Sequence, residues 1–150
     1  MRDAPSGFGD YRAGTNVRTP HELVWHMTRV TGYARTMFRG GDFKPPAQPT
    51  FEGEIMRFHE TLKALHSDFA DPSLTASISD EQFLQGPLAD AMTHAGQLAM
   101  LRRLAGDPVA PENFIFAAVR ADNVSAEQAS PAAPDVGWTP EQPPLSVRAS

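Results

Sequence analysis

The chain contains no cysteine. Disulfides, thiolate zinc sites and cysteine nucleophiles are therefore excluded, and any metal must be held by imidazole and oxygen donors. Long apolar runs are absent too. No stretch approaches the ~20 residues needed to cross a bilayer, so no membrane partner is expected. The N-terminal MRDAPSGFGDYRAG lacks the apolar centre of a secretory signal, and a cytoplasmic location is the expectation that follows. Positive charge is scarce: 13 Lys and Arg stand against 18 Asp and Glu, a formal net charge of -5. Arg102-Arg103 is the only local basic concentration, so no nucleic-acid partner is expected. No Gly-rich phosphate loop, nucleophile elbow or zinc-protease motif occurs.

What remains is ordinary for a folded domain. At 150 residues, 41% hydrophobic and 21% charged, the chain suits one domain with one core. Residues 1–18 read as a loop, with Phe8 and Tyr11 as its anchors onto the core. Thr19 then acts as an N-cap, Pro20 takes the first helical position and Glu22 completes a capping box. Leu23, Met27, Val30, Ala34 and Met37 follow at three- and four-residue steps, which predicts a helix over 20–39 ended by Gly40-Gly41. The proline-rich 44–49 must be a connector. Thr50 caps a second helix over 51–69 with the stripe Ile55, Phe58, Leu62, Leu65 and Phe69. A short turn of helix starts at Ser79, and Pro87 opens a third long helix to about Leu104. Pro111–Asn113 opens one more short helix through Phe114, Phe116 and Val119. Residues 122–150 form an irregular Pro/Ala-rich tail whose one large anchor is Trp138. The fold class is all-α.

Five histidines lie on or beside these helices. His26 falls between Leu23 and Val30 on the inward face of the first. Asp90 and His94 are four apart on the third, so both stand on one face and both can reach one divalent ion at about 2.0–2.2 Å. A third ligand from a facing helix would close the set and leave a coordination position open. The competing reading is an ordinary surface ion pair. Gln97, Leu98 and Leu101 share the face of Asp90 and His94, which suits a bundle interior polar at one end. Buried there, His and Asp need a metal, each other or a polar network. His59 and His66 flank the stripe of the second helix; His59 could line a pocket or carry a proton. His21 is expected at the surface.

Two stretches carry a family resemblance. RTPHELVWHMTRVTGYARTMF (18–38) resembles the DinB-like helix that supplies the first metal ligand, and LQGPLADAMTHAGQLAMLRRLAG (84–106) resembles the later helix with two ligands four residues apart. The resemblance spans roughly 17–120. It implies an up-and-down four-helix bundle with a divalent metal on His26, His94 and the position four before it. That position is normally His; here it is Asp90. The set, with His59 and Gln97 around it, suits Zn, Ni, Mn or Fe(II) without choosing among them. The resemblance also implies thiol-dependent transferase or isomerase chemistry with a low-molecular-weight thiol; an open metal position would equally serve a transferase or hydrolase acting on a small molecule. The family's first helix has no counterpart in residues 1–18. The expected organisation is a loop (1–18), a bundle domain (19–121) and a tail (122–150). Three apolar stripes without a fourth helix leave a groove, which predicts a truncated start or a homo-oligomer, most simply a dimer. The alternative to an enzyme is a binding or dimerisation module with a vestigial metal site.

Overall fold

Helix α1 (Pro20–Arg39) begins where the capping signal places it. Thr19 Oγ1 accepts from the Glu22 N–H at 3.1 Å, and the Glu22 carboxylate accepts from the Thr19 N–H at 2.7 Å. Two donors that the helix would leave orphaned are thus met reciprocally. The helix stops at Gly40, whose φ of 70° is a conformation that a side chain disfavours. The computed structural model describes residues 3–127 and 129–135. Among these the chain is all-helical: α1, α2 (Phe51–Ala70), the one-turn α3 (Asp80–Phe83) and α4 (Ala89–Leu104), preceded by a 3-10 turn at Phe8–Asp10. One isolated bridge, Glu112 to Pro134, is the only strand-like pairing among the described residues. Trp138 lies outside them.

Helices α1 and α2 run parallel. Thr28, in the first half of α1, reaches Glu54 near the start of α2, and Arg35 and Arg39, late in α1, reach Asp68 near its end. Strict up-and-down alternation is therefore not what the chain adopts. The reason lies in the connector. A 20-residue helix is about 30 Å long, and ten extended residues at about 3.1 Å each cover that distance. Residues 41–49 run back along α1 as a strap. Phe43 lies so close on Gly32 that a Cβ there would come within 2.1 Å of its ring. Trp25 Nε1 donates to the Pro45 carbonyl at 3.0 Å, and Arg57 donates to that of Pro46 at 2.8 Å.

The α1–α2 seam is polar. Glu54 and Asp68, 0% and 1% exposed, are buried with Thr61 and Leu65 on the face of α2 that meets α1. Glu54 accepts from Thr28 at 2.8 Å, from the Gln48 N–H at 2.9 Å, and from Arg57 at 3.1 and 2.5 Å. Arg35 and Arg39 donate to the two oxygens of Asp68 at 2.7 and 2.6 Å. Burial pushes the Asp68 carboxyl up, but these two hydrogen bonds outweigh it and hold it below the usual carboxylate range. The expected apolar stripe of α2 is displaced accordingly. Leu65 is buried, Ile55 and Phe58 pack partly against the core, and Phe69 stays half-exposed with its ring edge on Phe38 and Phe83.

Helix α4 lies antiparallel on the other flank of α1. Leu98 and Leu101 join Phe8, Leu23, Val24 and Met27 in one core cluster, while Leu88 packs near Ala34, Leu65 and Phe83 in another. The segment before α4, Leu84–Leu88, is a widened turn with non-helical backbone at Gly86, so α4 starts at Ala89 and not at Pro87. Phe8 anchors the N-terminal loop as expected, with Tyr11 stacked beside it. The short helix expected after Pro111 does not form. The Asn113 side chain accepts from the Ile115 N–H at 3.2 Å, and Glu112 accepts from the N–H groups of Ala132 and Ala133. These local bonds hold the segment in turns.

Because Glu54 is fully enclosed, removing its arginine should leave a buried carboxylate uncompensated. Arg57→Ala is expected to lower unfolding stability by about 3 kcal/mol. Arg12→Ala, which breaks the exposed pair with Glu22 and one exposed hydrogen bond to the Val17 carbonyl, should cost less than about 1 kcal/mol. Urea unfolding checks both, and equal effects would show that the seam does not depend on its ion pairs.

Candidate metal centre

Side chains from the second turn of α1 and the first turns of α4 reach one another across the face the two helices share. His26 comes from α1, and Asp90 and His94 from α4. Asp90 Oδ2 lies 3.2 Å from His26 Nε2, and Asp90 Oδ1 lies 3.3 Å from His94 Nε2. The two imidazoles meet edge-to-face with ring centres 4.7 Å apart. One donor atom from each residue can be chosen so that all three lie within 4.8 Å of one another. With ligand bonds of about 2.0–2.2 Å, neighbouring donors on a tetrahedral ion stand about 3.3–3.6 Å apart. The two contacts of Asp90 are close to that spacing, so the group could hold a metal ion.

The orientation of His94 sharpens this. Its Nδ1 lies 2.7 Å from Gln97 Oε1, one helical turn further on. That contact ties the ring to its own helix and leaves Nε2 facing Asp90. Nε2 and the carboxylate oxygen, 3.3 Å apart, are spaced to share a cation, either a proton or a metal. Gln97 is therefore the residue that orients the His94 ring. The cluster is also asymmetric in exposure. His94 is buried at 8%, while His26 and Asp90 keep 30% and 42% of their side chains open. One side of the cluster is therefore accessible.

Burial holds the His26 imidazole below its ordinary value. The neighbouring Arg18 charge adds to this, and Asp90 opposes it. His26 thus favours the neutral form that a ligand requires. His59 is held below its ordinary value by burial, against a hydrogen bond to the Val124 carbonyl. It does not join the cluster. It lines a separate groove in which Val24 and Met27 form the floor, with Ile55 and Phe58 on one wall and Ala95 and Leu98 on the other. His66 is exposed. His21, expected at the surface, is instead half-buried against Phe51, its Nε2 buried without a partner among the described residues.

Sequence reasoning missed the surroundings of His26. A cleft of about 330 Å³ opens beside it, lined by Arg12, Arg18, Glu22, Trp25 and Arg29. Four of these, Arg18, Glu22, Trp25 and Arg29, recur at helical spacing along α1 or immediately before it, which was the available signal. No family model matches the chain, nor does any curated protein or solved structure.

The depressed His26 value has a sign. Between about pH 6.5 and its lowered folded value, the unfolded chain binds the proton more readily than the folded one. Stability should be full above about pH 6.5 and fall as pH drops. In chelator-treated protein, His26→Gln is expected to make that fall shallower in urea melts between pH 7 and 5. An unchanged slope would remove His26 as a contributor.

Proposed function

We propose that the chain binds one divalent metal ion through His26, Asp90 and His94, and that it uses the site for metal-dependent chemistry on a small molecule, of the transferase or hydrolase type. The observation that carries this reading is the convergence of His26 Nε2 and His94 Nε2 on the two oxygens of Asp90, at 3.2 and 3.3 Å. The resemblance of residues 18–38 and 84–106 to the DinB-like pattern supports it independently. A cation held here would act as a Lewis acid on an oxygen or thiol, a low-molecular-weight thiol being the co-substrate the resemblance favours. The protein's own contribution is orientation: Gln97 holds the His94 ring, and Leu98 and Leu101 pack the same helix into the core. Three protein ligands with one open side suit reaction better than a sealed structural site. Zn, Ni, Mn and Fe(II) all suit this donor set.

Elemental analysis after dialysis should find about one equivalent of metal in the parent and none in His94→Ala. Gln97→Leu, which removes only the partner of Nδ1, should weaken affinity by about 10- to 100-fold in competition with a chromophoric chelator. Equal metal content in parent and His94→Ala would overturn the assignment.

A second reading, a dimerisation module, is favoured by a different observation. The groove between α2 and α4 is apolar and holds about 350 Å³, yet Phe114 and Ile115 of the same chain stand 80% and 85% exposed. Two such surfaces on one chain can be covered by a second copy. Light scattering should then give twice the 16.3 kDa of the chain, and Phe58→Asp should restore the single mass. A monomer at high concentration would exclude this reading and leave the metal site untouched.

A further inference from the structure

We propose that the arginine-lined cleft beside His26 holds the anionic group of the substrate, a carboxylate or a phosphate on a small molecule whose other end lies at the metal cluster. The placement of that other end rests on the metal reading above; the anion site itself does not.

Charge is the first argument. In a chain of net charge -5, three arginines line one cleft against a single carboxylate, Glu22. That carboxylate is already engaged. One oxygen accepts from the Thr19 N–H at 2.7 Å, and the other lies 3.4 Å from Arg12. Arg12 in turn donates to the Val17 carbonyl at 3.2 Å, which ties the loop wall of the cleft to α1. Arg18 and Arg29 have no carboxylate within 4 Å among the described residues. The Asp42 charge reaches Arg29 only at longer range, so both guanidinium groups remain available to an anion, and the fork of each matches a carboxylate or phosphate.

Shape is the second. A space of about 330 Å³ lies at the small end of ligand sites. It is concave, because the loop carrying Asn16, whose φ of 63° turns the chain back, closes it on one side. Trp25 is pinned by its indole N–H to Pro45, and Arg29 lies over its ring at 5.3 Å. The wall is therefore rigid, with an apolar face next to the charges. His26 belongs to both the cleft and the metal cluster. A molecule seated on Arg18 and Arg29 would present its remainder to the open side of that cluster.

The test is a titration of the full chain with two probes, inorganic phosphate and succinate, in the presence of chelator and again after loading with zinc. The readout is the indole N–H resonance of Trp25. A saturable shift without metal is expected for at least one probe, and whichever binds more tightly identifies the headgroup chemistry. Arg18→Gln and Arg29→Gln should each weaken the binding by about tenfold, with Arg29→Lys intermediate, since a point charge replaces a fork. Lys63→Gln, on the exposed face of α2, should change nothing. Zinc binding without any anion shift would overturn the cleft assignment and leave the metal reading standing. Anion binding without zinc uptake would do the reverse. An equal loss in Lys63→Gln would show general screening and overturn the cleft.

Discussion

Two carboxylates, Glu54 and Asp68, lie enclosed between α1 and α2, and each is met there by the groups that face it. A buried charge costs several kcal/mol unless it is paired and hydrogen-bonded. Glu54 finds Arg57, Thr28 and the Gln48 N–H, and Asp68 finds Arg35 and Arg39. An apolar seam could slide by a turn and repack. This one cannot, because a slip would strand both charges at once. Register and parallel direction are therefore set by polar groups, and the strap of residues 41–49 must return along the full helix for the parallel pair to exist. With one flank of α1 given to the ion pairs, α4 takes the other flank. The site forms where α1 and α4 cross.

At that crossing two kinds of constraint meet. Apolar packing of Leu23, Val24 and Met27 against Leu98 and Leu101 holds the helices together. A hydrogen bond inside one turn, between His94 Nδ1 and Gln97 Oε1, holds the ring with Nε2 towards Asp90. The first fixes position to within a side chain and the second fixes the orientation of the ring. The accessible edge is left to His26, whose imidazole senses both the Asp90 carboxylate and the Arg18 charge.

The extent to which this was legible in the sequence follows from what periodicity encodes. Helix starts were legible, because the capping boxes at Thr19 and Ser79 are local and use residue types with one strong preference. The cluster was legible from an i,i+4 pair and an inward histidine. Direction was not: an apolar stripe reads the same whether two helices run parallel or antiparallel. The α2 stripe misled for a related reason. Glu54, Thr61 and Asp68 repeat every seven residues and define a face, but charged residues there look like a solvated surface until their arginines are seen opposite. The cleft was hidden because Arg12, Arg18 and Arg29 are spread over loop and helix, whereas the contiguous basic pair is Arg102-Arg103. Arg102 is buried and spends its charge on Asp107.

The parallel seam has a kinetic consequence. In an antiparallel helical hairpin, contacts next to the turn close short loops first and the pair zips outward. Here the cross-helix bonds span 26, 33 and 29 residues, so no contact in the seam is local and no turn can seed it. Loop closure depends only weakly on length once loops are this long, which makes the seam form together or not at all. Contact order is raised above that of an ordinary helical pair, and slower folding accompanies it. The same topology makes opening cooperative: α2 cannot fray from the strap end without releasing Glu54, and through it the register of everything that α1 carries.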